Sequence, residues 1–265
     1  MAAYDCIVVG SGHAGSCAAL SASESGCKKG KSSMSFSGFA RPLTRSIPLP
    51  PVLLVDKCPI EWVGGNGYFT AGAHRTVHDG LTDLISILHN PPSSEEAGKI
   101  DIIPYTCDDF RSDIMRLSKG KSDSALVDAV VNDSRAAIEW LAKVGIPFCL
   151  SFNRQAYQVD GRQKFWGGMA LSVEGGGKGL IAAHQQALTE AGVTCWFEAP
   201  VTSILMEDGA VCGARLAKGG NIMEVKACNV ILAAGGFEAN AELRARHLGQ
   251  GWEKAKVTMT STGLL

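Results

Sequence analysis

The chain has 265 residues, of which 46% are hydrophobic and 19% are charged, and its formal net charge is −1. These values are typical of a globular protein in water, and they exclude the strong positive field that attracts nucleic acid or an anionic membrane surface. The sequence contains no apolar run of ~18 residues, so it predicts no membrane span.

The cysteines favour a reducing, cytoplasmic compartment. They are scattered, odd in number and form no CxxC pair, which argues against a disulfide framework and against a zinc site. No basic stretch precedes an apolar run at the N-terminus, so no secretory signal is predicted.

The first elements form a strand–helix–strand unit. Residues 6–9 are a short apolar run that ends at glycine, which predicts a buried parallel strand. Residues 14–25 predict a helix with Gly26 as its C-cap, and residues 52–55 predict the second strand.

An anomalous insert, residues 30–51, separates that helix from the second strand. It is rich in Ser, Pro and basic residues and has no helical or strand period. Connections of this type usually have ~2–6 residues, so we interpret the insert as an unspliced intron or gene-model error. The alternative is a genuine, disordered surface insertion, and in either case the insert is expected to be dispensable.

Helices are predicted over residues 79–90, 108–118 and 123–143, and Gly145 is expected to cap the last of them. Leu126, Val130, Ile138 and Leu141 are expected to share one face of that helix. Residues 150–176 are polar and rich in glycine, and no regular element is assigned to them.

The C-terminal part begins with a helix over residues 179–191 and a strand over 193–197. Residues 201–206 and 211–216 flank Glu207, Asp208 and Gly209, which predicts a β-hairpin. Residues 229–233 predict another buried strand, followed by a helix from Asn240.

The turn at residues 10–15 matches the GxGxxG pattern between a predicted strand and a predicted helix. In this pattern Gly10 permits a tight turn, Gly12 lets a pyrophosphate approach the backbone, and Gly15 lets the helix pack closely. The helix N-terminus then faces the phosphates with its N–H groups and positive dipole end. The turn therefore predicts dinucleotide binding, although a glycine turn that binds nothing remains the alternative.

Asp56, at the end of the second strand, is the candidate partner for an adenosine ribose. It lies 46 residues after Gly10, further than the ~20 that the motif expects. Removal of the insert would bring the spacing close to that value, which favours the interpretation as a gene-model error.

Six segments resemble the fumarate reductase/succinate dehydrogenase flavoprotein family, and most closely its tricarballylate dehydrogenase-like branch. They are VVGSGHAGSCAAL (8–20), VLLVDK (52–57), GGNGYFTAGAHR (64–75), FWGGMALSVEGGGKGL (165–180), APVTSI (199–204) and VILAAGGFEAN (230–240). The segments occur in the order that the family has, from about residue 4 to residue 257.

The resemblance implies FAD as cofactor and assigns its contacts. The residues expected to bind FAD are Gly10, Gly12, Ala14 and Gly15 at the pyrophosphate, Asp56 with Lys57 at the ribose, Gly65, Asn66, Ala71 and Gly72 beside the flavin, Val201 at the adenine, and Ala234 with Gly235 in the re-entry turn. His13 is expected either to touch the cofactor or to face solvent.

The implied fold is α/β: a three-layer FAD-binding domain with an inserted α+β capping domain. The expected segments are 1–104 and 176–257 for the FAD-binding domain, 105–175 for the capping domain, and 258–265 for an unrelated tail. Members of the family are much longer, so the resemblance implies a truncated, inactive chain whose catalytic arginine lies beyond its end.

The chemistry implied by the resemblance is hydride transfer between the flavin and a C–C bond next to a carboxyl or carbonyl group. The expected partners are a small carboxylate or carbonyl substrate and a separate electron donor or acceptor, with no nucleic acid. The alternatives are another flavoprotein of this fold, such as a ketosteroid dehydrogenase, and a non-catalytic pseudogene product.

Two neighbouring residues remain as weaker candidates. His74 and Arg75 lie beside the predicted flavin loop, and we expect that they could bind a carboxylate. His74 and His78 have a metal-ligand spacing for a helix, but no third ligand is evident, so no metal site is predicted.

Overall fold

The structure is a computed structural model that describes residues 4–26 and 52–256. The predicted insert at 30–51 and the predicted tail at 258–265 both lie outside the described residues. None of the described helices is both long enough and apolar enough to cross a membrane.

The strands and helices follow the order that the sequence predicts, with additions. The strands are β1 (Tyr4–Val9), β2 (Val52–Val55), β3 (Ile100–Ile102), β4 (Phe148–Leu150), β5 (Ala156–Val159), β6 (Arg162–Phe165), β7 (Leu171–Val173), β8 (Thr194–Trp196), β9 (Val201–Glu207), β10 (Ala210–Lys218) and β11 (Asn221–Leu232). The helices are α1 (His13–Ser25), α2 (Leu81–Leu84), α3 (Ser94–Ala97), α4 (Cys107–Leu117), α5 (Ser124–Lys143), α6 (Phe152–Gln155), α7 (Gly176–Glu190) and α8 (Ala241–Leu248).

The chain divides into two compact units. The first unit comprises Met1–Tyr68 with His184–Leu265, and the second comprises Phe69–Ala183. The boundary falls within α7. The predicted capping segment 105–175 lies inside the second unit, and its role as a cap stays a prediction.

The first unit is built on a mixed sheet of order β8-β2-β1-β11-β10-β9. Strand β1 is central and pairs in parallel with β2 and β11, so Val9 lies beside Val55 on one side and Leu232 on the other. The buried core of this sheet is apolar and consists of Ile7, Val9, Leu53, Val55, Ala199, Val201, Ala214, Leu216, Val225 and Ala227.

Two sequence expectations about strand β11, its length and its burial, were wrong. It is longer than residues 229–233, because its first half pairs with β10 in an antiparallel hairpin that turns at Gly219 and Gly220. Its last residues were expected to be buried, yet Ile231 and Leu232 are 37% and 58% exposed. An apolar run is fully buried only when both faces of its strand are covered.

The second unit contains two small sheets, β3-β6-β5 and β4-β7. Strands β5 and β6 form a hairpin with Asp160 and Gly161 at positive φ, within the stretch to which the sequence assigned no element. The predicted helix over 79–90 is only the single turn α2, followed by a 3₁₀ turn at Ile85–Ile87.

Helix α5 has the predicted position but a different buried face. Leu126 and Val130 are 69% and 56% exposed, whereas Val127 and Val131 are buried together with Ile138 and Leu141. The expected face was therefore wrong by one residue over its first two turns, because a shift of one position rotates a side chain by about 100° around the helix.

Candidate cofactor-binding site

The turn between β1 and α1 is held tightly by backbone hydrogen bonds. The N–H of Gly10 donates to the Val55 carbonyl at 2.8 Å, and the N–H of Ala233 donates to the Val9 carbonyl at 2.8 Å. Gly10 has a φ of +103°, and a Cβ there would lie 2.4 Å from the carbonyl oxygen of Ala233. The turn therefore requires glycine at this position.

Gly15 and Gly12 are glycine for different reasons. A Cβ at Gly15 would lie 1.8 Å from the Gly10 carbonyl oxygen, so close packing of α1 on the turn requires glycine. Gly12 has an ordinary extended backbone, with φ −67° and ψ 179°. Among the residues that the structure describes, a Cβ at Gly12 would meet only the Gly64 carbonyl oxygen, at 3.6 Å. The protein itself thus leaves space at Gly12.

That space lies at the N-terminus of α1, where a phosphate would be stabilised. Gly12 is the N-cap, and among the described residues no side chain caps this helix. The first N–H groups of a helix and its dipole together favour an anion at this end. The turn therefore fits the pyrophosphate of a dinucleotide.

Asp56 lies directly beside the turn. Its Oδ2 accepts hydrogen bonds from the N–H of Ser11 at 2.8 Å and from the Ser11 hydroxyl at 2.6 Å. Its Oδ1 accepts from the N–H of Cys58 at 2.9 Å. A carboxylate has about four acceptor positions, so capacity for a ribose hydroxyl remains. Parallel pairing of β1 and β2 places Asp56 beside the turn although 46 residues separate it from Gly10.

A cavity at the carboxyl ends of β1 and β2 is lined by several of the residues that were predicted to contact FAD. Its lining residues are Val9, Gly10, Val55, Asp56, Lys57, Ala199, Val201 and Ala234. Five of these, namely Gly10, Asp56, Lys57, Val201 and Ala234, were assigned to FAD from the sequence. Ligands of open α/β sheets bind outside the carboxyl ends of the strands, which is where this cavity lies.

The predicted flavin loop of the first unit contains Gly65 and Asn66. Gly65 has a φ of +52° and begins a 3₁₀ turn, Gly65–Phe69. The Asn66 side-chain amide donates to a carboxylate oxygen of Glu238 at 2.9 Å. Sequence reasoning missed Glu238, although it follows the predicted re-entry turn of Ala234 and Gly235 closely. The signal available in the sequence was an acidic residue, which can accept a hydrogen bond from an amide such as that of Asn66.

Ala71 and Gly72 belong to the second unit. Gly72 has a φ of +66°, its N–H donates to the Thr70 hydroxyl at 3.1 Å, and its carbonyl accepts from Val173 at 3.0 Å. Ala71 is exposed. Contact of these two residues with the cofactor stays a prediction.

Arg75 already has anionic and polar partners within the second unit. Its Nη1 donates to the Tyr105 hydroxyl at 2.7 Å and to Asp113 Oδ2 at 3.2 Å. Hydrogen bonds from Arg116 and Tyr105 hold the pKa of Asp113 below its usual range. Burial, followed by the hydrogen bond to Asp113, raises the pKa of Tyr105 to about 12. A substrate carboxylate would have to compete with Asp113 for Arg75.

His74 and His78 do not lie on a helix, so the spacing argument for a metal does not apply to them. Each forms an isolated β-bridge, His74 with Leu171 and His78 with Tyr105. Burial lowers the pKa of both imidazoles. His13 is half-buried, and its Nδ1 lies 2.7 Å from Nε2 of His184. Its contact with the cofactor stays a prediction.

The fold and the turn define a protein of the dinucleotide-binding class, with a mixed sheet and a glycine turn at the start of its first helix. The chain belongs to the family described as FAD binding domain, whose model matches residues 89–264, more than half of the chain. This assignment supports FAD as the cofactor, as the sequence predicted. No curated protein matches the chain.

Solved structures share the fold at low identity, which confirms the predicted α/β class. A flavocytochrome c3 fumarate reductase is 22% identical, with a TM-score of 0.61, and the match covers 92% of this chain and 35% of that one. The 3-ketosteroid-delta4-(5alpha)-dehydrogenase of Rhodococcus jostii RHA1 is 18% identical, with a TM-score of 0.63, covering 92% and 48%. The 3-ketosteroid delta1-dehydrogenase of Sterolibacterium denitrificans is 16% identical, with a TM-score of 0.59, covering 92% and 49%.

The chain thus spans about a third to a half of the length of these structures.

Proposed function

We propose that the first unit binds FAD by its adenosine and pyrophosphate portion. The pyrophosphate lies against Gly12 and the N-terminus of α1, the ribose hydroxyls donate to Asp56, and the adenine lies beside Val201. The observation that carries this proposal is the space at Gly12. In the described part of the chain, only the Gly64 carbonyl oxygen lies near a Cβ built there, so packing of these residues does not explain why this position is glycine.

The roles of the chain's own residues follow from simple electrostatics and sterics. The dipole of α1 partly neutralises the pyrophosphate charge, and Asp56 selects a ligand with vicinal hydroxyls. Lys57 adds a positive charge to the lining of the same cavity. These groups bind and orient the cofactor, and none of them is assigned a proton transfer.

We further propose that the whole protein is a flavin-dependent oxidoreductase. Bound FAD supplies hydride transfer to or from a carbon atom, which amino-acid side chains do not provide. The substrate class that we favour is a small carboxylate, such as a tricarballylate-like acid, with the oxidised or reduced C–C bond next to the carboxyl group. The supports are the sequence resemblance and the fold shared with a fumarate reductase.

A steroid substrate is the second candidate. It is favoured by the two ketosteroid dehydrogenases that share the fold, each of which matches this chain over nearly half of its own length. The two substrate classes differ in charge and shape, so a binding experiment separates them.

The cofactor proposal is tested by comparing FAD with FMN, which lacks the adenosine half. We expect FAD to bind at least about 100-fold more tightly, because FMN cannot reach Asp56 or Val201. Fluorescence titration of the full chain measures both constants. Equal affinities for the two flavins, or tighter binding of NADH than of FAD, would contradict the proposal.

The substrate proposal is tested on the FAD-loaded chain. Succinate, tricarballylate and 4-androstene-3,17-dione are added without oxygen, and the flavin absorbance is followed for the spectral shift that a bound ligand causes, which does not require turnover. A change caused only by the carboxylates supports the favoured class. A change caused only by the steroid would move the assignment to the second candidate.

A further inference from the structure

Three metal-ligand side chains of the first unit lie together beside the phosphate turn. Nδ1 of His13 is 2.7 Å from Nε2 of His184 and 3.9 Å from Sγ of Cys17. One ligand atom from each residue lies within 4.8 Å of the others. The two imidazole rings are tilted by 51°, with centroids 4.9 Å apart.

Helix geometry explains how the cluster forms. His13 is the first residue of α1 and Cys17 is four positions later, so both side chains project from the same face. His184 comes from α7 and is fully buried. His13 and Cys17 are only half-buried, so an ion can reach the cluster from solvent.

We propose that His13, Cys17 and His184 bind a zinc ion. One thiolate and two imidazoles form the mixed N/S donor set that Zn²⁺ prefers. Three protein ligands leave a fourth tetrahedral position, which a water molecule can fill. This site does not depend on the proposed oxidoreductase activity.

The distances need only small changes to accept the ion. With Zn–N of about 2.05 Å and Zn–S of about 2.3 Å, tetrahedral geometry places two nitrogens about 3.3 Å apart and nitrogen and sulfur about 3.6 Å apart. The imidazoles must separate by roughly 0.6 Å, and Cys17 must approach His13 by roughly 0.3 Å. Side-chain rotation supplies shifts of this size without backbone movement.

Binding exchanges a proton for the ion. A cysteine binds zinc as its thiolate, so the Cys17 thiol must give up its proton when the ion enters. Zn²⁺ replaces that proton, the S–H bond is lost, a Zn–S bond forms, and one proton enters the solvent. The site then carries one net positive charge, at the same end of α1 as Gly12.

The test uses the full chain, purified under reducing conditions and stripped with a chelator. Cobalt is titrated as the probe, since tetrahedral Co²⁺ gives ligand-field bands at longer wavelength than flavin absorption. Competition with zinc then gives the zinc affinity, and a pH indicator counts the protons released. The variants are Cys17→Ser and His184→Gln, with Cys195→Ser as the control from strand β8.

We expect the parent chain and Cys195→Ser to bind a single Co²⁺ per chain with tetrahedral bands and to release about one proton. Cys17→Ser should weaken binding by more than about 100-fold, because loss of a ligand costs more than loss of a ligand's supporting partner. If His184→Gln does not fold, Cys17→Ser decides alone, since it is half-buried and nearly isosteric.

Two results would overturn the proposal. One is that the parent chain binds no tetrahedral Co²⁺, which would make the cluster a hydrogen-bonded imidazole pair only. The other is that Cys17→Ser binds metal as tightly as the parent, which would locate the ion elsewhere on the chain.

Discussion

Two glycine turns in this chain share a local design but differ in what lies over them. The first leads from β1 into α1, and the second leads from β7 into α7. A Cβ at Gly15 would lie 1.8 Å from the Gly10 carbonyl oxygen, and a Cβ at Gly179 would lie 1.7 Å from the Glu174 carbonyl oxygen. In both turns a glycine five residues after the start lets the helix pack against the turn.

The two helix N-termini differ in whether other backbone segments cover them. At the second turn, the N–H of Gly177 donates to the Thr70 carbonyl at 2.8 Å. A Cβ at Gly72 would lie 2.9 Å from the Gly176 backbone, so the segment from Thr70 to Gly72 already covers this helix start. At the first turn, the only atom of residues 4–26 and 52–256 near a Cβ on Gly12 would be the Gly64 oxygen, at 3.6 Å.

The comparison teaches that glycine spacing alone does not identify a phosphate site. Both turns satisfy the steric demands of a tight strand-to-helix connection, but only the first leaves its helix N-terminus accessible to a ligand. The four predictions below test this difference, from the largest expected effect to the smallest.

The largest effect is expected where the two turns are alike. Gly15→Ala and Gly179→Ala should each lower the free energy of unfolding by about 3 kcal/mol or more, because the new Cβ collides with backbone. Denaturant unfolding of the purified chains measures the loss. Gly98→Ala is the control, since its Cβ would lie 3.4 Å from the nearest atom, and it should change stability by less than about 0.5 kcal/mol. Parent-like stability of either turn variant would contradict the packing argument.

The second largest effect is expected at Gly12, where the two turns differ. Gly12→Val should weaken FAD binding by about 100-fold or more, since its side chain would occupy the space for the pyrophosphate. The unfolding free energy without FAD should stay within about 1 kcal/mol of the parent value. FAD titration and thermal unfolding check the two statements, with Gly98→Val as the matched control. Unchanged FAD affinity would remove the first turn from the cofactor site.

A smaller effect is expected from Asp56→Asn. Loss of the charged acceptor for the ribose hydroxyls should weaken FAD binding by about 10-fold, or ~1.4 kcal/mol. FMN affinity should not change, because FMN carries no adenosine ribose. Asp208→Asn in the exposed β9–β10 turn is the control. An equal effect on both flavins would mean that Asp56 supports the turn rather than the ribose.

The smallest effect is expected from the half-buried thiol of Cys17 on α1, a helix face for which α7 has no equivalent cysteine. Because burial raises its pKa to about 11, from an unfolded value near 9, the folded state holds the proton more tightly between these pH values. Stability contributed by this group is therefore complete below pH 9 and is lost as the pH rises towards 11. The loss should be on the order of 1 kcal/mol. Unfolding of the metal-free chain at several pH values measures it, and Cys17→Ser should flatten this part of the profile.

Local sequence predicted the elements whose pattern lies within a few residues. The structure confirms the strand predicted at 52–55, the helix predicted over 14–25 and the β9–β10 hairpin, each within two residues of its predicted bounds. Each of these elements is specified by steric limits or by a hydrophobic period that residues close in sequence provide without any distant contact. The β5–β6 hairpin escaped detection because its strands have only four residues each, β5 is mostly exposed, and β6 is polar up to Phe165, so neither strand shows apolar alternation.

Burial was less predictable than secondary structure. Leu126 and Leu232 are apolar residues in correctly placed elements, yet both are exposed. The sequence shows that a residue is hydrophobic, but the neighbouring elements decide which face of a helix or strand they cover.

By itself, the sequence determined the form of the first turn. Gly15 must lack a Cβ because the carbonyl oxygen of Gly10, five residues earlier, occupies that space. The conflict at Gly10 is instead with Ala233, which only the pairing of β1 with β11 brings there. Only the tertiary structure decided that Asp56 lies beside Ser11, that Gly12 faces space while Gly176 is covered, and that His184 meets His13. The physical reason is distance along the chain. A steric conflict between close neighbours exists in every conformation of the turn, whereas contacts between residues tens of positions apart exist only after strands pair and helices pack.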